Sequence, residues 1–225
     1  MRDRRERLQA MVDQQIAARG VHDVALLKAM REVPREAFVD ARMAKFAYDD
    51  APLPIGAGQT ISQPYVVAVM LEAARIEASD TVLEVGAGSG YVAALMSRMA
   101  RRVYAIERHA ELADAARERL LRLGYANIEI RAGDGTEGWP EAGPFEAVIV
   151  SAGGPSIPLP LCRQIALGGR LVMPIGEAGE QRLVCAVRTG EDDFDEEDLG
   201  SVRFVPLIGT HGWPDAAEQR QGHRH

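Results

Sequence analysis

The sequence predicts an α/β fold: a doubly wound, mainly parallel sheet with an antiparallel edge and an N-terminal helical extension. Three observations predict it. From Thr81 onward, short apolar runs alternate with longer amphipathic ones, the strand–helix–strand rhythm of a parallel sheet covered on both faces. The first of these runs, TVLEV, leads into glycines at alternate positions, Gly86, Gly88 and Gly90, and then into a helical pattern. The last apolar runs, GGRLVMPIG, RLVCAVR and VRFVPL, follow one another with little room for helices between them, which suits antiparallel pairing.

Before Thr81 the chain reads as helical. Leu8, Met11, Val12, Gln15 and Ile16 recur at helical spacing, with Gly20 as a stop. Asp23 is placed to cap a second helix carrying Val24, Leu27 and Met30, which Pro34 ends. Residues 48–65, YDDAPLPIGAGQTISQPY, are rich in Pro and Gly without a period and read as an ordered loop. Pro64 suits the first turn of a helix continuing through Val67, Met70 and Leu71.

In the alternating region TVLEV, RVYAIE, NIEIRAG and FEAVIVS read as strands. Helices are expected over Tyr91 to Met99, over Glu111 to Leu123 and near Leu159 to Ile165. The acidic run EDDFDEED, Glu191 to Asp198, is expected as a solvated turn in the antiparallel edge. The organisation that follows is a helical and loop region over 1–80, a core over 81–209, and a polar, flexible tail over 210–225.

Bulk composition narrows the function. The 225 residues are 47% hydrophobic, ordinary for a globular protein, and no apolar stretch approaches the ~20 residues that span a bilayer. The charged start, MRDRRERLQAM, has no apolar region behind it and does not read as a signal peptide. A net charge of -7 and a pI near 5.3 weigh against a nucleic-acid binder. Cys162 and Cys185 lack metal-ligand or redox spacing and read as buried thiols. These features predict a cytoplasmic protein with no membrane or nucleic-acid partner and no metal.

Glycines between a strand and a helix let a ligand approach the backbone at the helix N-terminus. Here the spacing is G-x-G-x-G after Glu84, and Tyr91 stands where a dinucleotide fingerprint would place its third glycine. The spacing resembles the class I methyltransferases that use S-adenosylmethionine. Glu107 closes the next strand, about twenty residues on, where an acid can accept hydrogen bonds from ribose hydroxyls. Asp134, in Gly133–Gly135, follows the third strand and is placed to meet an adenine amino group; alone, GDG is also a simple turn.

No His–carboxylate pair presents itself as a general base. His109 reads as a helix-start residue, and His211, His223 and His225 as loose or tag-like. The stretch SAGGPSIP after the fourth core strand lacks the Asn/Asp-Pro-Pro-aromatic pattern of base-directed amino-methyltransferases. An acceptor carboxylate, however, is already ionised at pH 7 and needs alignment rather than a base. Thr60 and Ser62, in the ordered loop before the glycine strand, offer hydroxyls for that alignment, although local chemistry alone would make Ser62 a helix cap.

Taken in order, LKAMREVPREAFV, PLPIGAGQTISQPY, VLEVGAGSGY, AIER, GDG followed by EGWP, PFEAVIVSAGGPSIP, LGGRLVMPIG and VRFVPLIG closely resemble the protein-L-isoaspartate O-methyltransferase family, from roughly Leu8 to Gly209. The resemblance implies a Rossmann-like methyltransferase sheet. It implies methyl transfer from S-adenosylmethionine to the free α-carboxylate of L-isoaspartyl residues in damaged proteins, giving an ester that closes to a succinimide: protein repair. By the same resemblance Ser62 is the active-site serine, and Thr60 and Ile61 belong to the loop that closes over the site. Gly86, Gly88 and Ser89 take the methionine end, Glu107 the ribose, and Asp134 with Gly135 the adenine. The resemblance further implies a monomer whose partners are isoaspartyl proteins and peptides. Ile208 stands where the family often has Thr. That departure keeps open a methyltransferase for another carboxylate or small molecule, or a non-catalytic cofactor-binding scaffold.

Overall fold

The structure, a computed structural model, describes residues 2–177 and 179–215. Helix α1 (Arg2–Ala10) passes into a π-helical turn (Met11–Ile16) and a 3-10 turn (Ala17–Arg19), stopped by Gly20 at φ +99°. The apolar stripe read from the sequence is what it buries: Leu8, Met11, Val12 and Ile16 all lie in the core. Helix α2 (Val24–Glu32) is capped as expected, with Asp23 Oδ1 accepting from the Leu26 amide at 2.8 Å. Helix α3 (Pro64–Ala74) opens on its proline, whose missing N–H is an orphan at that position anyway.

The loop before α3, expected to be ordered, is also more regular than expected. Strands β1 (Leu53–Gly56) and β2 (Gln59–Ile61) pair as an antiparallel hairpin. Ala57 at φ +49° and Gly58 at φ +69° turn it, the two positive angles a tight hairpin turn requires. Apolar and polar residues alternate too briefly there for the sequence to announce a strand.

The main sheet has seven strands in the order β5-β4-β3-β6-β7-β8-β9. They are β3 (Thr81–Val85), β4 (Arg102–Glu107), β5 (Ile128–Ala132), β6 (Phe145–Val150), β7 (Ile165–Glu177), β8 (Glu180–Arg188) and β9 (Phe194–Val202). The strands from β5 through β7 are parallel, and β8 and β9 add antiparallel. The predicted parallel sheet with an antiparallel edge is therefore present, but the edge is built differently. The turn is confined to residues 189–193, and the acids Asp195 to Asp198 lie within β9, paired with β8 and exposed to solvent. A strand bonded on one side only, with water on both faces, tolerates charges that a central strand would not. VRFVPL is not the last strand: the segment leaves the sheet, and Leu207 buries beneath it while Pro206 bridges to Gly153.

Side chains alternate across the sheet with period two. Val82, Val103, Ala105, Ala147 and Ile149 face the large core shared with α3, α4 (Tyr91–Ser97), α5 (Ala110–Arg122) and the N-terminal helices. Leu83, Val85, Ile106, Val148 and Val150 face the smaller core under α6 (Leu159–Arg163), Trp139 and Leu207. Of the two thiols expected to be buried, Cys185 is buried and Cys162 half-buried; both are free. Among the described residues, no helix is long and apolar enough to cross a membrane.

Candidate active site

The chain runs from β3 outward through β4 to β5, then returns to place β6 on the other side of β3. In open α/β sheets, ligands bind at such a reversal, outside the carboxyl ends of the strands. A cleft opens at this point, lined by the glycine loop, the end of the β1–β2 hairpin and the segment after β9. Ser62, Thr60, Ile61, Gly86, Gly88, Ser89, Glu107 and Gly135 all line it. Asp134 does not, although its neighbour does.

Each glycine of the loop has a separate reason to be bare. Gly86, Gly88 and Gly90 stand at φ +86°, +52° and +83°, where a side chain is strained. A Cβ on Gly88 would also come within 3.0 Å of Ile55 Cδ1, because the β1–β2 hairpin packs over the loop. On Gly90 it would press on Leu120 and Ala116 of α5. The loop is tied from below, the Gly86 and Ala87 amides donating to the Ile106 carbonyl at 2.8 and 3.0 Å. From outside, Arg119 Nη1 donates to the Ser89 carbonyl at 2.8 Å.

Glu107 is 5% exposed, and both its oxygens are set by backbone. Oε2 accepts from the Gly88 amide at 2.8 Å and Oε1 from the His109 amide at 3.0 Å. Each oxygen keeps a further lone pair for a ligand hydroxyl. Glu84 lies beneath the same loop, buried, with Oε2 lacking a hydrogen-bond partner. Burial first, and the neighbouring Glu107 charge second, push its carboxyl well above the usual carboxylate range. A buried orphan acceptor, a bare backbone loop and a preset carboxylate on one cleft fit a ligand with polar ends and hydroxyls.

Asp134 is bonded on both its oxygens within the protein. Its Oδ1 accepts from the Thr136 amide and hydroxyl at 2.9 and 2.7 Å, and Oδ2 from the Thr210 amide at 2.7 Å. It thereby caps the 3-10 turn Gly135–Glu137, and Gly135 presses so closely on Val85 that no Cβ fits. Residues 210–215, expected as the start of the tail, sit against this turn. The His211 amide donates to Thr136 Oγ1 at 3.1 Å, His211 Nε2 is 3.4 Å from Glu137, and Arg108 pairs with Asp215 at 2.6 Å. His223 and His225 lie outside the described residues.

Burial alone would raise the Asp134 pKa, but the bonds from Thr210 and Thr136 together hold it below its ordinary 3.8. A depressed carboxyl stabilises the fold above its unfolded pKa and loses that contribution as pH falls through the folded one. Asp134→Asn, which points an amide at the Thr210 N–H or at Thr136, is expected to cost about 1–2 kcal/mol at pH 7. Urea titrations at a series of pH values check this: the gap between the two proteins should hold above about pH 5 and close below 3.8.

Ser62 precedes α3 but does not cap it. The N-cap is Gln63, without a side-chain bond. Asp50 serves instead, accepting from the Tyr65 amide at 3.2 Å and from Gln63 Nε2 at 2.8 Å. Sequence reasoning overlooked Ser151, Tyr91 and Leu207, which also line the cleft. Ser151 had a usable signal, being the first residue beyond β6 as Gly86 is the first beyond β3. His109 starts α5 as expected, but it also lines the cleft, and its Nε2 is buried without a hydrogen-bond partner.

Comparison with known proteins gives one consistent result. Residues 6–212 match the family described as Protein-L-isoaspartate(D-aspartate) O-methyltransferase (PCMT). The chain is 54% identical over 214 residues to Protein-L-isoaspartate O-methyltransferase 2 of Pelobacter propionicus, covering 95% of each. It is 55% identical over 204 residues to the protein-L-isoaspartate O-methyltransferase of Rhodopseudomonas palustris, covering 90% of this chain and 94% of that one. A solved protein-L-isoaspartate O-methyltransferase superposes with a TM-score of 0.82 at 28% identity, over 92% of this chain and 67% of that one. A Plasmodium falciparum structure described as a beta-aspartate methyltransferase (PCMT), in complex with S-adenosyl-L-homocysteine, superposes with a TM-score of 0.77 at 25% identity, over 89% and 98%.

Proposed function

The chain belongs to the protein-L-isoaspartate(D-aspartate) O-methyltransferase family, and on that premise we propose how its cleft divides the work. The enzyme methylates the free α-carboxylate of L-isoaspartyl residues in damaged proteins, using S-adenosylmethionine. The observation that carries the division of labour is convergence: the Ser62 loop, the glycine loop and Glu107 reach one cleft at the sheet's reversal.

S-adenosylmethionine, when bound, supplies an electrophilic sulfonium methyl. The substrate carboxylate is ionised at neutral pH, so the protein's task is to hold it, partly dehydrated, in line. The Ser62 hydroxyl donates a hydrogen bond to one carboxylate oxygen and leaves the other free to attack. Thr60 and Ile61, at the end of the hairpin, close the wall on that side. Backbone at Gly86, Gly88 and Ser89 takes the methionine end, and Glu107 accepts the ribose hydroxyls. Gly135 shapes the adenine end, and Asp134 keeps its turn in place from behind.

Damaged proteins rather than nucleic acids are the partners, a reading supported by the net charge of -7. Action as a cytoplasmic monomer belongs to the same proposal. The test is transfer of labelled methyl to two short peptides that differ only in carrying L-isoaspartyl or L-aspartyl. A base-labile label on the isoaspartyl peptide alone is expected. Equal labelling of both would overturn the substrate assignment.

A further inference from the structure

Arg35 lies in the N-terminal extension, in a 3-10 turn (Arg35–Phe38), and is 0% exposed. Its guanidinium reaches two carbonyls: Nε donates to Ala47 at 2.9 Å and Nη2 to Ser62 at 2.7 Å. Those carbonyls flank residues 48–61, the segment that carries the β1–β2 hairpin. The same guanidinium lies 5.0 Å from the ring centre of Tyr91, which follows Gly90 and lines the cleft. One buried fork thus joins the start of the hairpin segment, its end at Ser62, and the helix that leaves the glycine loop.

The neighbouring charges hold the same stretch from the other side. Asp50, whose bonds fix Gln63 and Tyr65, also pairs with Arg19 at 2.6 Å. The Arg19 guanidinium in turn stacks 3.4 Å from the centre of the Tyr65 ring. Burying a guanidinium is costly, and apolar side chains of similar volume would pack as well or better. What an apolar replacement lacks is a rigid planar fork that holds two carbonyls at a fixed separation.

We propose, resting on the role given to Ser62 above, that Arg35 is the positioning residue of the methyl-transfer site: it staples both ends of segment 48–61 and fixes the Ser62 backbone so that its hydroxyl meets the substrate carboxylate. On this view the N-terminal extension is the platform of the catalytic loop.

The test compares Arg35→Lys and Arg35→Met with the parent enzyme. A lysine keeps the charge but has no planar fork for two carbonyls. Both variants should lose about 10- to 100-fold in kcat, the scale of a small misplacement near the reacting atoms. The Kd for S-adenosylhomocysteine, measured by calorimetry, should move by less than kcat does, because Arg35 reaches the glycine loop only through Tyr91 and the hairpin and does not touch Glu107. Arg35→Lys introduced into a Ser62→Ala background should cost almost nothing more, since residues acting through one another do not add. Hydrogen exchange at residues 59–63 should quicken in Arg35→Lys, a readout that needs neither substrate nor turnover and that identifies the staple even if Arg35→Met does not fold.

Unchanged kcat in Arg35→Lys with a lowered melting temperature would reduce Arg35 to packing and overturn the proposal. A full additional loss in the Ser62→Ala background, or unaltered exchange at 59–63, would do the same. A parent enzyme that leaves the isoaspartyl peptide unlabelled would count against the substrate assignment instead, with the exchange measurement still deciding the staple.

Discussion

Replacing Ser62 with alanine is expected to lower kcat on an isoaspartyl peptide by about 100-fold, the loss typical of removing one preorganised donor at a reacting oxygen. The Kd for S-adenosylhomocysteine should stay where it is. The structure makes this separation clean. Ser62 lines the cleft but leaves the capping of α3 to Asp50, so its hydroxyl has no helix to support and its removal should change stability by no more than about 0.5 kcal/mol. Single-turnover rates at saturating cofactor, with calorimetry beside them, separate the two effects. A variant that keeps its rate and loses stability would place Ser62 among the structural residues.

Glu107→Ala should do the reverse, raising the cofactor Kd by about 30- to 150-fold, equivalent to about 2–3 kcal/mol. Two losses contribute. The carboxylate no longer accepts from the ligand hydroxyls, and the Gly88 and His109 amides, now 2.8 and 3.0 Å from its oxygens, lose their partner. The second loss loosens the glycine loop itself. Glu107→Gln should fall between, since its remaining carbonyl oxygen serves one amide while its NH₂ faces the other. Fluorescence or calorimetric titration with S-adenosylhomocysteine reads both, and an unchanged Kd in Glu107→Ala would remove the residue from the site.

Much of this was legible in the sequence for simple reasons. The inner parallel strands β3, β4 and β6 are mostly buried on both faces, so they read as apolar runs, and Gly86, Gly88 and Gly90 announce a backbone that turns where side chains are strained. Glu107 was legible because a strand end is a predictable place. The rest depends on distance in space. Asp134 stands where an adenine acceptor was expected, but the Thr210 amide, 76 residues away, takes one of its oxygens. The β1–β2 hairpin is too short to show alternation and is held by packing on Gly88. Strand β9 reads as a solvated turn because its charges outweigh its pattern, and only pairing with β8 makes it a strand. Arg35 looks like one more surface arginine until the fold buries it.

Strand β9 also sets a limit on what this sheet can join. A free edge presents unpaired amides and carbonyls to any extended chain. The acids Asp195, Glu196, Glu197 and Asp198 stand exposed along that edge. Two such edges brought together would oppose carboxylate to carboxylate, and like charges facing each other across a strand pair disfavour the pairing. Pairing of two copies of this chain through β9 is therefore disfavoured by like charge along the strand.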